Sequence, residues 1–487
     1  MAISATVAKQ SSAITLARTH FKEFLEQRNE AIIADDWIRG DNAKPSRPLN
    51  TTREYVELEE RAPTPWLGLV VTSVAQSLYV EGHRPKKGRE DSKVWQKLWQ
   101  PNGMDARQIA IHRGALGHGV AFVKEKRGKQ ALTGDDMIVF KGVSAMNGAA
   151  FYQDPAIDEF PMFFIEATKT LINGTEGWDV LVTDEEAEYT LQCKSADGQE
   201  GWSYISHENH NAGVPPVVCF ANNLDLAGAS RSDIAPFIPL AGRIDQDTFD
   251  RLIVQRLGSW RVRYISGMAK PTTDEMARLQ AMALRVEDIL ISPDANTKFG
   301  TLDPTPLDGY ISARDADIRD LAAVTQTPPH HLLGLSPNVS AEGLVEAQAG
   351  LMRKVDERKH LFGESWERVL RLGAHMLNMP EASDFESQML WKDTESRSLA
   401  QSADALGKLA QMLQVPVELL WERIPGWTTK DSEDAKEILD RQAAEAMMMM
   451  ELEAGMNDGQ AAAGGKGSPP FGQGAPKEPS PTKSSDA

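Results

Sequence analysis

The chain has 487 residues, with 52 Lys and Arg against 70 Asp and Glu, so its formal charge is −18. A hydrophobic fraction of 41% with 25% charged residues is enough to bury a core, and the length suggests about three structural units at roughly 100–200 residues each. The acidity argues against a protein that coats DNA by neutralising phosphates, two cysteines cannot build a Cys-rich zinc module or a disulfide framework, and no apolar run approaches the ~18 residues of a membrane span.

Residues 4–36 read as a helix, with Ile14, Ala17, Phe21, Phe24 and Leu25 at spacings of three and four. A polar break with Pro45 and Pro48 follows. A second helix is predicted over 65–80, apolar over most of its surface, which means burial or a subunit contact. Helices over 91–99 and 105–117 come next. The latter takes Asp105 as its N-cap and ends at Gly117-His118-Gly119.

From Val120 the texture changes to short β-branched and aromatic runs: 120–124, 137–141, 163–169, 178–183, 188–194, 202–207 and 217–220. They are separated by turn residues and read as antiparallel sheet, with 195–201 as a hairpin turn. Ser232 then caps a long helix to about Arg261, striped by Ile244, Phe249, Leu252, Ile253, Leu257 and Trp260. A small α/β insert follows, with strand 262–266, helix 273–285 and strand 288–292, and then a returning helix over 307–325. Pro328-Pro329 stops that helix and opens a loop. Ser340 caps the longest helical pattern in the chain, carrying Leu344, Ala347, Leu351, Val355, Phe362, Trp366, Val369, Leu370 and Leu377 to about Met379. Helices are predicted over 395–413, 416–423 and 430–454. From Asn457 the chain is Gly, Pro, Ser, Ala and Lys, a composition expected to be disordered.

No motif in the chain is a catalytic fingerprint. His207-Glu208-Asn209-His210 is one residue short of the zincin spacing and sits before a Pro-Pro turn, so it reads as a polar hairpin. The adjacent pair His330-His331 lacks a third ligand. Gly114, Gly117 and Gly119 lie between a helix and a strand, the reverse of a dinucleotide-binding turn, and read as helix termination. Gly464-Gly465-Lys466-Gly467 lacks the spacing of a phosphate loop, and Gly228–Ser232 misses the last glycine of a nucleophile elbow. No enzyme, cofactor or metal is expected, and a structural or interaction protein becomes the leading class. The absence of a compact leader at 1–18 and the scarcity of cysteine fit a reducing cytoplasm.

The order of elements is distinctive: an α+β first half, one long helix, a small insert, a returning helix, a loop and a very long helix. Together with Pro65-Trp66-Leu67-Gly68-Leu69-Val70-Val71, 95–99, 105–119, 228–257 and the stretch SAEGLVEAQAGLMRKVDERKHLFGESW from Ser340 to Trp366, it resembles the portal protein of tailed double-stranded DNA bacteriophages. The similarity is greatest to the siphovirus type of actinobacterial phages and covers roughly residues 10–450.

The resemblance implies an α+β, predominantly helical fold and a dodecameric ring at one capsid vertex, a virion component assembled in the host cytoplasm. DNA would enter and leave through the ring. The implied partners are the terminase large subunit, a head-completion or adaptor protein, the major capsid and scaffolding proteins, and passing duplex DNA, without a membrane. By element order the wing falls at 1–235, stem helices at 236–261 and 307–327, and the clip at 262–306. The tunnel loop falls at 328–343, the long helix at 344–379, the crown at 380–456 and a disordered tail at 457–487. The competing classes are another capsid structural protein and an enzyme of the packaging machinery.

The physics of a DNA channel fits this picture: a bore lined with carboxylates repels phosphate and leaves no register as a trap. Asp315, Asp317 and Asp320 fall within two turns of the second stem helix and are candidates for such a lining; a solvated helix face explains them equally well. In the loop after it, Leu332, Leu333 and Leu335 are either anchors against the subunit or its neighbour, or part of a loop that projects into the ring. In the second reading His330, His331, Leu333 and Asn338 would meet DNA, the histidines with only partial charge.

Overall fold

The computed structural model describes residues 2–47, 53–86, 93–172, 174–258, 263–266, 274, 298–301, 305–334, 341–392, 399–417, 420–421, 424, 427 and 429–461. The chain divides into two compact units, Met1–Lys392 and Asp393–Ala487.

The first unit opens with α1 (Ala2–Arg39), α2 (Arg53–Arg61) and α3 (Trp66–Ala75), followed by strand β1 (Val80–Arg84), a one-turn π-helix (Trp95–Trp99) and α4 (Met104–His118). The helix expected over 65–80 therefore ends at Ala75. Its last residues lead into β1, which pairs antiparallel with β12 (Gln388–Trp391), 300 residues downstream. Asp105 is not the N-cap of α4: that position is Gly103, in the left-handed region, and Asp105 in the first turn accepts the indole N–H of Trp99 at 2.8 Å.

The strands expected between 120 and 220 are all present, joined by β4, which the sequence did not signal. β2 (Val120–Lys129), β3 (Asp136–Ser144) and β9 (Val217–Ala221) form a sheet in the order β3-β2-β9. β4 (Gly148–Phe151), β5 (Phe163–Ile172), β6 (Thr175–Thr183), β7 (Ala187–Cys193) and β8 (Trp202–Asn209) form a five-stranded meander. Two apolar cores result. The amphipathic stripe of α1 lies on the meander, with Phe21 and Phe24 fully buried and edge-on to Trp178 at 5.5 and 6.2 Å. The turn between β7 and β8 requires glycine at position 198: φ is +72° and a Cβ there would sit 1.9 Å from the Phe21 ring. The larger core gathers α3, α4, the three-stranded sheet and the helices described below. Trp99 and Trp366 are wholly buried within it, so core packing accounts for both. His112 is also fully buried. Burial lowers its pKa to about 4, so the neutral ring donates from Nδ1 to the Leu78 carbonyl and accepts the Trp366 indole N–H at Nε2.

The two sheets meet through a charged seam as well as through Phe122, Val143, Phe164 and Val217. Lysines come from the three-stranded sheet and glutamates from the meander. Buried Lys124 contacts Glu166 and Glu188, Lys141 pairs with Glu166, and Lys126 reaches Glu208 at 2.7 Å. Burial alone would raise the Glu188 pKa, but Lys124 and Lys126 outweigh it and hold the carboxyl below its usual range.

The chain then enters a short 3-10 turn (Ala235–Phe237), α5 (Ile238–Gly258) and the strands β10 (Arg263–Ser266) and β11 (Lys298–Thr301), which pair antiparallel. Apart from Asp274, the helix expected over 273–285 and the strand over 288–292 lie outside the described residues, as does most of 416–423. α6 (Asp308–Thr325), α7 (Pro329–Leu333) and α8 (Ala341–Met376) complete the first unit before β12. The second unit contains α9 (Leu399–Leu413) and α10 (Thr429–Ala461), which runs past the expected start of the tail at Asn457. Residues 462–487 lie outside the described residues. The fold is α+β and predominantly helical, as the sequence implied. No helix among the described residues is long and apolar enough to cross a membrane.

One buried group lacks the partner that its polarity demands. Glu125 on β2 is 1% exposed, and neither carboxylate oxygen has a hydrogen-bond partner among the described residues; Leu98 and Gly373 of α8 lie beside it. Burial pushes its pKa well above the ordinary range, so it is held as the neutral acid. A folded-state pKa above the unfolded one gives stability that is present in acid and lost as pH rises. Glu125→Met should therefore raise the unfolding free energy by about 1–3 kcal/mol at pH 8 and by less at pH 5. Thermal melts of both proteins across that range check the sign.

Candidate functional site

The site expected from the sequence centres on α5, α6 and the segment after α6. The N-terminal half of α5 lies against the C-terminal half of α6, burying Ala241, Ile244, Ile318, Leu321 and Ala322 in the larger core. Across the polar side of this contact, the Arg243 guanidinium makes a two-pronged hydrogen bond to Asp317, Nε to Oδ2 and Nη2 to Oδ1, both at 2.7 Å. Asp320 is 3.9 Å from the same guanidinium and exposed, while Asp315 is half-buried and paired with Arg314 at 3.0 Å. The three aspartates are thus not equivalent. Asp317 serves the helix–helix contact, and Asp320 is the most open to solvent. Asp247 on α5 faces the same cluster: burial, then the charges of Asp317 and Asp250, raise its pKa.

Deeper on α5, Asp245 is buried and accepts hydrogen bonds from the Thr64 N–H and the Asn42 side-chain amide, both at 3.1 Å. Burial pushes its pKa up to about 6.

α6 ends at Gln326, which adopts φ +57° and donates its N–H to Ala323; Thr327 N–H reaches back to Ala322 at 3.0 Å. The two prolines stop this helix as expected, but they do not leave a plain loop. Pro328 is the N-cap of α7 and Pro329 occupies its first turn, where a missing N–H costs nothing and a fixed φ favours the helix. His330 and His331 therefore stand on a helical turn, their rings edge-to-face at 4.5 Å. Partial burial and then His330 lower the His331 pKa, which favours its neutral form. Leu332 is buried and Leu333 packs against the main core, so both leucines anchor the segment to their own subunit. Gly334 closes the turn at φ +64°. Leu335, Asn338 and the proposed cap Ser340 lie outside the described residues.

Sequence reading missed the buried junction that holds these helices in place. Asp233 is 4% exposed. Its Oδ1 accepts from Asn222 Nδ2 at 2.9 Å, Asn223 Nδ2 at 2.8 Å and Arg358 Nη2 at 3.1 Å, and its Oδ2 forms an ion pair with Lys354 at 2.9 Å. Burial would raise the Asp233 pKa, but Lys354 and Arg358 outweigh it and keep the group ionised. Its N–H donates to Leu116, and the adjacent Ser232 hydroxyl donates to Gly117 while receiving the N–H groups of Ile234 and Ala235. Gly119, at φ +89°, allows this approach: a Cβ would lie 2.8 Å from the Ser232 nitrogen. The available signal was Lys354 and Arg358 themselves, one turn apart within the apolar stripe Leu351, Val355, Phe362 and Trp366.

The histidines of the near-zincin motif separate. His207 meets the Tyr204 hydroxyl at 2.6 Å, and His210 meets the Asp184 carbonyl at 2.8 Å. Among the described residues no group of three or more His, Cys, Asp or Glu could hold a metal ion. Gly119 terminates α4 as expected, in the left-handed region.

The pattern of sequence along this architecture matches the profile of a family described as phage portal protein, SPP1 Gp6-like, over residues 19–447. The chain belongs to the phage portal protein family. Among its relatives, the portal protein of Mycobacterium phage L5 is 27% identical over 399 residues, covering 77% of this chain and 78% of that one. The portal protein of Mycobacterium phage D29 is 26% identical over 359 residues, covering 70% and 71%. The resemblance to portals of actinobacterial phages is borne out. Two solved structures share a looser likeness. The virion of a native gene transfer agent particle has a TM-score of 0.45 at 11% identity, covering 79% of this chain and 99% of that one. The neck of an empty gene transfer agent particle has 0.43 at 12%, covering 76% and 91%. The role of this chain is that of a structural portal protein.

Within this portal subunit, Asp233→Asn leaves two buried cations around an uncharged amide. It should cost about 3–5 kcal/mol, the range found on breaking a buried pair. Adding Lys354→Met and Arg358→Met to the same chain should recover part of that loss. Denaturation of the single and triple variants beside wild type checks both expectations.

Proposed function

We propose that twelve copies of this chain close into a ring at one capsid vertex and form the channel for DNA packaging and ejection. The observation that carries the reading is the family match over residues 19–447. In this reading α5 and α6 are the stem helices, β10 and β11 belong to the clip at 262–306, and 328–343 is the tunnel loop with α7 as its first half. The wing spans 1–235. The long helix spans 344–379, and the crown runs over 380–456, with a tail beyond it. The terminase large subunit and a head-completion protein dock on the ring. Major capsid and scaffolding proteins surround it during assembly in the host cytoplasm.

The function is mechanical rather than catalytic: to hold an opening through which a polyanion slides without sticking. A net charge of −18 per chain supports this, since a carboxylate-rich bore repels phosphate at every register. Exposed Asp320 is the stem carboxylate most open to contribute, whereas the charges of Asp317 and Asp315 are answered by Arg243 and Arg314. Leu333 anchors the tunnel loop. His330, His331 and Asn338 are the groups in it proposed to meet DNA, His331 mainly in its neutral form.

Native mass spectrometry and negative-stain microscopy of the purified chain test the ring: the expected particle weighs twelve times 53.6 kDa and has a central hole. A monodisperse monomer under several salt conditions would refute it. The same rings should show no sub-micromolar affinity for duplex DNA at physiological salt in a gel-shift assay; tight binding would contradict the electrostatic account.

A further inference from the structure

We propose that each subunit seats a rigid acidic knob, formed by loops 153–159 and 224–229, in an apolar cleft of the next subunit, making a head-to-tail contact. The proposal rests on the ring reading above and assigns to it a specific pair of surfaces.

The cleft lies among the end of α1, α3, α4 and β3 and has a volume of about 660 Å³. Ile38, Val71, Ile111 and Val143 supply apolar wall, and the exposed cations Arg39 and Arg113 stand at its rim. It is large enough for two aliphatic side chains, and among the described residues nothing fills it.

The knob has the opposite character. Leu226 is 101% exposed and Ile157 80%. Isolated exposed aliphatics are commonplace, but these two ride on loops that are fixed in place. Asp225 Oδ1 accepts the N–H groups of Ala227 and Ala229 at 2.9 and 3.0 Å, and Asp158 Oδ2 accepts those of Gln153 and Asp154 at 3.1 and 2.8 Å. Gly228, at φ +77°, brings the loops into contact, since a Cβ there would sit 2.3 Å from the Pro155 carbonyl carbon. A rigid apolar tip loses little conformational freedom when it binds, which is the condition for a small contact to be effective.

Charge selects a second copy of this chain as the occupant. Asp154 and Asp158 flank Ile157 in sequence, and Asp225 precedes Leu226. Arg231 answers Asp225 at 3.4 Å, and Asp35 in the cleft wall answers Arg39 at 2.7 Å, so the complementary pair is the 154–158 carboxylates and the exposed Arg113 at the rim. In the sheet order β3-β2-β9, the cleft lies against β3 at one edge, while loop 224–229 continues from β9 at the other. Knob and cleft are different surfaces of the subunit, so their contact is heterologous, the kind that closes into rings.

The test uses the full chain with cysteines introduced at Leu226 and at Ala110, an exposed residue of the cleft. A short bismaleimide should convert rings of the Leu226→Cys/Ala110→Cys protein into a ladder of covalent multimers on a reducing gel. Either single variant, which retains Cys193 and Cys219, should give no ladder. A second variant, Ile157→Asp/Leu226→Asp, should keep the wild-type circular dichroism and melting temperature while its ring fraction falls at least tenfold. Intact rings from both variants, without a ladder from the first, would overturn the knob-and-cleft contact and leave the ring reading standing. Failure of wild type to form rings would instead remove the reading on which the contact depends.

Discussion

A single buried carboxylate organises the first unit. Asp233 is held by two asparagines from the loop after β9, by Lys354 and Arg358 from α8, and by its own N–H to the end of α4. Three elements distant in sequence meet at one charge immediately before α5 begins. Replacing such a cluster with apolar side chains can be neutral for stability, so its value here lies in register. Lys354 and Arg358 are one turn apart, and a shift of α8 by one turn would leave a cation buried without a partner. The junction therefore sets where α5 starts and the register of α8 against it. α5 and α6 extend from that fixed origin, their own relation set by the Arg243–Asp317 fork.

The same use of charge recurs between the sheets, where lysines of one meet glutamates of the other around Lys124. Hydrophobic burial supplies the bulk of the cohesion, and the charged pairs select one arrangement among several of similar apolar area. For a subunit proposed to carry DNA through a ring, this division is useful. Buried positive charge is committed to internal carboxylates, while the unbalanced negative charge remains for the surface. A polyanion then meets repulsion from the subunit rather than a set of competing cations.

Much of this architecture was legible in the sequence because it depends on local periodicity. The stripe through Leu351, Val355, Phe362 and Trp366 marks a helix without reference to anything else, and the strand runs from Val120 to Phe220 are bounded by their own turn residues. The family resemblance rests on the order of these elements. What escaped depends on contacts between distant residues. β1 contains Gly82 and His83, and β12 has only four residues; neither is a convincing strand until they pair across the fold. Two adjacent prolines predict a loop where α7 forms, because proline is both a breaker inside a helix and a favoured starter at its first turn. Asp317 was read as part of a uniform acidic face; its partner Arg243 lies 74 residues away on α5. The cations of the Asp233 junction were visible as misplaced charges in an apolar stripe, but nothing local identified the carboxylate that answers them.

The most direct test of the junction's organising role is native-state hydrogen exchange on wild type and Asp233→Asn. The account predicts that exchange accelerates together at the end of α4, over 233–244 at the start of α5, and over 351–366 in α8, while β5, β6 and β7 keep their wild-type protection. Acceleration confined to the few residues beside position 233, with α4 and α8 unchanged, would contradict it.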